Sequence, residues 1–290
     1  MGIQLAKGVR DVAPADKLLK NKVVSTLQNV FERYGFMPLE TPILERYETL
    51  AAKFAAGEAS DALKEIFRLN DQGKRDLGLR FDLTVPLARY VAMSPNLKMP
   101  FKRYAIGEVF RDGPIKLGRY REFWQMDIDT VGTGSMLADA EIVAMTAAAF
   151  EQLGLKVVIK INNRKVLNGL LEQIGFAEKE PAMVALDKLD KIGTDGVAKE
   201  LKERGYTQKQ VDTLLSLIST KTTLQDLEIK MTDNEGKEGL QELSELFSYL
   251  KSMKLSSAVF DVSLARGLAY YTGTVFEVYL PNGPVNSSLA

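Results

Sequence analysis

Apolar positions along this 290-residue chain switch between two periods, and the switches mark its elements. Over residues 16–34 they recur every three to four positions, which predicts an amphipathic helix closed by Gly35. Residues 36–44 follow as an extended run. Its prolines, Pro38 and Pro42, predict an edge or interface strand rather than a central one. Residues 64–70 and 78–82 read as short strands around the turn Asp71-Gln72-Gly73. A helix is predicted from Thr84, with Pro86 in its first turn, where the missing N–H costs nothing. Residues 102–111 and 122–130 read as strands, joined by a loop holding Gly113, Pro114 and Gly118. A helix over 136–153, stopped by Gly154, precedes a strand at 156–161.

The character changes near Asn163. From there to about Met253 the pattern is almost wholly helical, with a capping-box sequence at Thr207-Gln-Lys-Gln and a 3.6-residue apolar period over 238–251. Strand-like sequence returns at 258–262 and 274–280. Strands beside a few helices, without regular alternation, predict an α+β fold on an antiparallel sheet. The expected organisation is a first part at 1–162, a helical insertion at 163–254, and a return to the first domain at 255–290.

The strand at 123–130 separates two faces. Period two puts Phe123, Gln125, Asp127 and Asp129 on one side, and Trp124, Met126, Ile128 and Thr130 on the other. The second face should pack on a helix layer. The first carries an amide and two carboxylates, so it must face either solvent or a ligand. Arg111 and Arg119 flank the turn on that polar side, and arginine offers a planar fork of donors suited to phosphate oxygens. Phe123 adds a ring on which a nucleobase can stack.

Composition narrows the chemistry. Charged residues make up 26 % and cancel, 38 against 38, so no global field draws the chain to nucleic acid or membrane. Cysteine and histidine are both absent, which removes thiolate and imidazole nucleophiles, catalytic triads and zinc sites built on those ligands. Chemistry here must run on Arg, Lys, Asp, Glu, Tyr and a hard cation such as magnesium. No apolar run of about 18 residues and no signal-peptide core are seen, so no membrane partner and a cytoplasmic location are expected.

One further segment, residues 263–279, sets Arg266 four and five positions ahead of Tyr270 and Tyr271, at the mouth of a strand. A fixed guanidinium there can hold an anionic oxygen while the phenols address a polar ring. The run Arg-Gly-Leu-Ala-Tyr-Tyr-Thr-Gly-Thr-Val-Phe-Glu resembles a signature peptide of histidyl-tRNA synthetases. Other segments resemble the same family in order. Lys7-Gly-Val-Arg-Asp-Val-Ala-Pro14 is similar to its N-terminal peptide, and Tyr34-Gly-Phe-Met-Pro-Leu-Glu-Thr-Pro42 to the dimer-forming motif 1 of class II aminoacyl-tRNA synthetases. Residues 79–90 resemble its histidine-binding helix start. Phe110-Arg111, then Gly118-Arg-Tyr-Arg-Glu-Phe-Trp-Gln125, resemble motif 2.

The resemblance implies a class II aminoacyl-tRNA synthetase antiparallel sheet flanked by helices, with a helical insertion domain. It implies activation of histidine by ATP to histidyl-adenylate and transfer to the 3' end of tRNA(His), by a homodimer joined through motif 1. Arg111 and Arg266 are then expected at the α-phosphate and substrate carboxylate, Arg119 at the outer phosphates, and Phe123 on adenine. Asp82, Thr84 and Gln125 are expected at the substrate α-amino group. Asp129 and Tyr271, supported by Tyr270, are expected at the imidazole nitrogens. Asp129 stands where many family members carry glutamate. Glu108 is the candidate Mg2+ ligand, and Lys116, Arg119 and Arg121 could meet the tRNA acceptor end.

In the family a glycine-rich strand, motif 3 and an anticodon-binding domain follow the region where this chain stops, so a fragment with impaired activation is expected. The alternative is a catalytically silent synthetase-like regulatory subunit of ATP phosphoribosyltransferase. The retained Arg111, Gln125, Asp129, Arg266 and tyrosine pair argue for the synthetase. A prolyl or threonyl enzyme fits less well, because those families lack the Arg-Gly-Leu-x-Tyr-Tyr run.

Overall fold

The structure is a computed structural model that describes residues 2–52, 61–115, 119–219, 222–267, 271–281, 283 and 288–290. It divides into two compact units, Met1–Thr133 and Gly134–Ala290.

The first unit is organised by one long hairpin. β5 (Phe101–Phe110) and β6 (Glu122–Val131) pair antiparallel over their full ten residues, from Phe101 opposite Val131 to Phe110 opposite Glu122. α1 (Pro14–Arg33) begins on a proline, whose missing N–H is harmless there, and is followed by Gly35 at φ +78°. This helix covers the predicted apolar face. The Phe31 ring lies 5.6 Å from that of Tyr104, which pairs with Ile128 across the strands, and Lys20 Nζ sits 3.5 Å over the Trp124 ring. The proline-bearing run forms β1 (Met37–Pro38), an edge strand parallel to β5, as the prolines required.

A second small sheet runs in the order β2-β4-β3, from β2 (Leu44–Arg46), β3 (Arg68–Asn70) and β4 (Asp76–Leu79). Both later strands are shorter than predicted. Residues 61–64 form a helical turn, and Asp82 has already left β4 for the connection into α4 (Thr84–Ala92). Strands this short give period two little to act on.

In the second unit β7 (Val158–Asn163) is central, with β8 (Ala258–Phe260) parallel on one side and β9 (Thr274–Tyr279) antiparallel on the other. α5 (Met136–Gln152) is capped by the Ser135 hydroxyl. Between β7 and β8 run α6 (Arg164–Ile174), α7 (Lys179–Leu186), α8 (Leu189–Glu203), α9 (Gln208–Ser219), α10 (Leu224–Lys230) and α11 (Asn234–Ser252). The predicted capping box forms ahead of α9: Thr207 N–H donates to Gln210 Oε1 at 2.9 Å, and Gln210 N–H donates back to Thr207 Oγ1 at 3.4 Å.

α6 and α11 cross backbone to backbone. A Cβ on Gly169 would stand 2.6 Å from the Cα of Gly236. One apolar core gathers α5, β7, α6 and α11 through Val143, Ile159, Val166, Leu243 and Leu246. A second gathers α6 to α9 and includes Ala265, from the loop after β8. Among the described residues the fold is α+β, with three small sheets in which antiparallel pairs are joined by the parallel pairs β1–β5 and β7–β8.

Candidate active site

Pairing of β5 with β6 builds the polar face from both strands. Arg103 lies opposite Asp129, Ala105 opposite Asp127, Gly107 opposite Gln125 and Val109 opposite Phe123. Leu83 packs on Ala105 and Val109, with Phe123 alongside.

The short connection from β4 to α4 then fixes two arginines through alternate carbonyls. Arg111 Nε donates to Phe81 O at 3.0 Å, and Arg103 Nη2 donates to Leu83 O at 3.0 Å. Between them Asp82 is buried and accepts the Val85 N–H at 2.9 Å, in the first turn of α4. Thr84 is exposed at the start of that helix.

The Arg111 guanidinium lies 5.1 Å over the Phe123 ring. Gln125 Nε2 donates to Asp127 Oδ1 at 2.9 Å. Asp129 forms an ion pair of 2.7 Å with Arg103, which is wholly buried. Burial pushes the Asp129 carboxyl up to about 6. Arg103 pulls it down, while Asp127 and Asp82 push it further up. Among the eight predicted site residues of this unit, Asp82, Arg111, Phe123, Gln125 and Asp129 share one framework.

Arg119 is exposed in the returning loop. That loop is held from two sides: Arg121 N–H donates to Gly8 O at 2.8 Å, and Asp112 N–H donates to Glu65 O at 2.7 Å. Arg10, from the N-terminal peptide, lies 4.4 Å over the Tyr120 ring. Lys116 falls outside the described residues.

Glu108 is a correction. It pairs with Trp124, so its side chain belongs to the face covered by α1, where it acts electrostatically on Lys20. Three residues separate it from Arg111, and an odd separation on a strand changes face. Among the described residues no group of three or more His, Cys, Asp or Glu side chains is placed to hold a metal.

Two arginines escaped the sequence reading. Arg80 is buried behind Gly107, donating through Nε to Glu108 O at 2.8 Å and through Nη1 to Thr41 O at 2.6 Å. Arg103 is the other, and period two across the β5–β6 register was the signal that could have found it.

The remaining predicted residues belong to the second unit and are described within it. Arg266 is ion-paired with Glu277 of β9 and lies 5.6 Å from the Tyr271 ring centre. Burial works against its charge, but Tyr271, Glu277 and Asp187 outweigh that and hold the guanidinium more firmly protonated than usual. Tyr279 donates its hydroxyl proton to Glu277 Oε2 at 2.5 Å. The helices set this loop in place: Arg164, opening α6, donates to Arg266 O at 3.3 Å, and Gly267 lies 3.4 Å from the Val184 Cα of α7 by its Cβ direction. Tyr270 falls outside the described residues.

Fixed guanidiniums on an antiparallel hairpin, with an aromatic ring and carboxylates on the same face, fit a fold of the class II aminoacyl-tRNA synthetase kind. The Histidyl-tRNA synthetase family profile matches residues 8–288. Histidine–tRNA ligase 1 of Bacillus cereus is 45 % identical over 294 residues, covering 100 % of this chain and 67 % of its own length. The chain belongs to the histidyl-tRNA synthetase family.

The crystal structure of histidyl-tRNA synthetase from Nostoc sp. PCC 7120 superposes with a TM-score of 0.84 at 32 % identity, over 97 % of this chain and 66 % of that one. A structure from Bacillus halodurans, described as an ATP phosphoribosyltransferase regulatory subunit/histidyl-tRNA synthetase, gives 0.83 at 27 % identity, over 98 % and 75 %. The chain spans about two thirds of the length of the Bacillus cereus and Nostoc proteins.

Proposed function

We propose that this chain supplies the histidine-activating site of a histidine–tRNA ligase, which forms histidyl-adenylate from histidine and ATP and transfers it to the 3' end of tRNA(His). The observation that carries the reading is Arg111 lying over Phe123 on the same face as Asp129, which is paired with the buried Arg103. Arg111 and Arg266 take the α-phosphate and the substrate carboxylate, Arg119 the outer phosphates, and Phe123 the adenine ring. Asp82, Thr84 and Gln125 take the α-amino group. Asp129 and Tyr271, with Tyr270, read the imidazole.

The nucleophile is the ionised carboxylate of histidine, so no protein base is needed. Negative charge develops around the α-phosphorus and is met by guanidiniums already fixed by main-chain carbonyls. Residues 163–254 are read as an insertion between two parts of one catalytic domain, 1–162 and 255–290. The exposed Met37 in edge strand β1 and Leu44 in edge strand β2 favour a homodimer. No described helix is long and apolar enough to cross a membrane, and a cytoplasmic location fits the reaction.

Histidine-dependent ATP–pyrophosphate exchange tests the reading. Exchange that requires histidine and is lost in Arg111→Ala supports it, whereas exchange driven equally by other amino acids overturns it.

The Bacillus halodurans neighbour favours a second reading, a regulatory subunit of ATP phosphoribosyltransferase. Arg266→Ala in the complete gene product separates the two. Loss of histidyl-tRNA formation supports the ligase, and an effect confined to phosphoribosyl transfer supports the regulator.

A further inference from the structure

None of the roles above uses Arg103, yet it is among the most costly side chains in the first unit. Its guanidinium is 0 % exposed, on a strand, beneath Leu83. Nη2 donates to Leu83 O at 3.0 Å and lies 2.7 Å from Asp129 Oδ2 as an ion pair, while Nε, Nη1 and Asp129 Oδ2 are buried without a hydrogen-bond partner among the described residues. Replacing such a pair by apolar side chains is often neutral or stabilising, so stability alone is a weak reason for it. The register sets Arg103 directly across from Asp129, and Leu83 O fixes the guanidinium from the other side. A carboxylate ion-paired on one side and short of hydrogen bonds has acceptor capacity left for an N–H from a ligand.

We propose that Arg103 is a positioning residue for side-chain recognition: it holds Asp129 ionised and in one orientation, so that the pair, rather than Asp129 alone, selects an imidazole. This rests on the histidine-ligase reading. The groups acting on Asp129 agree with it. Burial, Asp127 and Asp82 all favour the neutral acid, and Arg103 opposes them. Removing Arg103 takes away the one group that favours the carboxylate and shifts the balance toward the neutral acid, a hydroxyl donor where an acceptor is required.

The test compares L-histidine and ATP binding by calorimetry in the 290-residue chain and its Arg103→Leu and Arg103→Lys variants, between about pH 5.5 and 8. Arg103→Leu is expected to weaken histidine binding roughly ten- to a hundredfold, with ATP affinity unchanged. Arg103→Lys, which keeps the charge, recovers part of the loss. The pH below which histidine binding fails moves upward in Arg103→Leu; the ligand's own imidazole titrates identically in all three proteins and cancels.

A purely structural role would lower the melting temperature and leave affinity and pH profile alone, and that result overturns the proposal. If Arg103→Leu does not fold, Arg103→Gln, which also removes the charge, takes its place, and unaltered histidine affinity and pH profile in that variant overturn the proposal equally. Failure of the unaltered chain to bind histidine while binding ATP is a different outcome, and it overturns the ligase reading beneath.

Discussion

Arg266 is tied to Glu277 across the loop that joins β8 to β9, and Tyr279 donates to the other oxygen of the same carboxylate. A guanidinium held this way keeps its charge and its direction without help from a substrate. The arrangement supports a role at the reacting centre, where a preset cation costs no reorganisation. Glu277→Gln keeps the shape and weakens the tie. It is expected to lower histidine-dependent pyrophosphate exchange about tenfold, the worth of one hydrogen bond to a charged group. Arg266→Ala should cost 10²–10³-fold, as loss of a transition-state donor does. A Glu277→Gln rate equal to that of the unaltered chain would show that Glu277 does nothing beyond charge balance.

Gly107 is a packing constraint of the polar face. A Cβ at this position would collide with the Arg80 guanidinium, which is itself anchored to Thr41 O and Glu108 O. The far end of an arginine can shift, but here it would abandon buried hydrogen bonds. Gly107→Ala is therefore expected to destabilise the fold by about 1–3 kcal/mol, the usual cost of overpacking. Urea unfolding of the two proteins measures it, and an unchanged midpoint would mean that Arg80 relocates freely.

The β5–β6 pair was legible because ten residues of alternation leave little freedom in either strand. Its ends, its faces and its helix-covered side all follow from residues 102–111 and 122–130. Asp82 was misplaced into a strand because β4 holds only four residues, too few for a period to define an end. Counting along the strand also puts Glu108 on the face of Trp124, because it pairs with that residue. Arg80 and Arg103 are different. A charged side chain reads as surface until the pairing register is known, and register joins residues far apart in sequence. The packing of Ala265 against α6 to α9 was equally invisible, because nothing in a local window links a loop to helices that end at or before Ser219.

The α6–α11 crossing depends on glycine in a way that single substitutions can expose. Gly169 and Gly236 face each other, and a Cβ on Gly239 would lie 2.8 Å from Val166 N, so any side chain pushes main chain against main chain. Backbone cannot rotate away as a side chain can. Gly169→Ala gains about 1 kcal/mol in helix propensity, yet it is expected to lower stability by about 1–3 kcal/mol net. Thermal unfolding checks the sign, and a raised melting temperature would show that the helices can separate without loss.

Asp261 gives a pH-dependent prediction with a defined sign. Its carboxylate pairs with Lys160 at 2.8 Å and accepts the Ser263 hydroxyl at 2.5 Å and the Ser263 N–H at 2.9 Å. Burial by itself would raise this carboxyl, but Lys160 and Ser263 overcome it and hold it below the ordinary carboxylate range. A depressed folded-state value stabilises the fold above the unfolded value of about 3.9, and the contribution disappears as pH falls through the folded one. Asp261→Asn should therefore cost about 1–2 kcal/mol at pH 7 and progressively less below about pH 4. Asp129 has the opposite sign, since burial raises it to about 6 and its ionisation erodes stability as pH rises between about 4 and 6. That contribution is common to both proteins and cancels in their difference. Urea midpoints at pH 7 and near pH 3 decide the matter, because a gap of the same size at both would mean that Asp261 contributes as a shape and not as a charge.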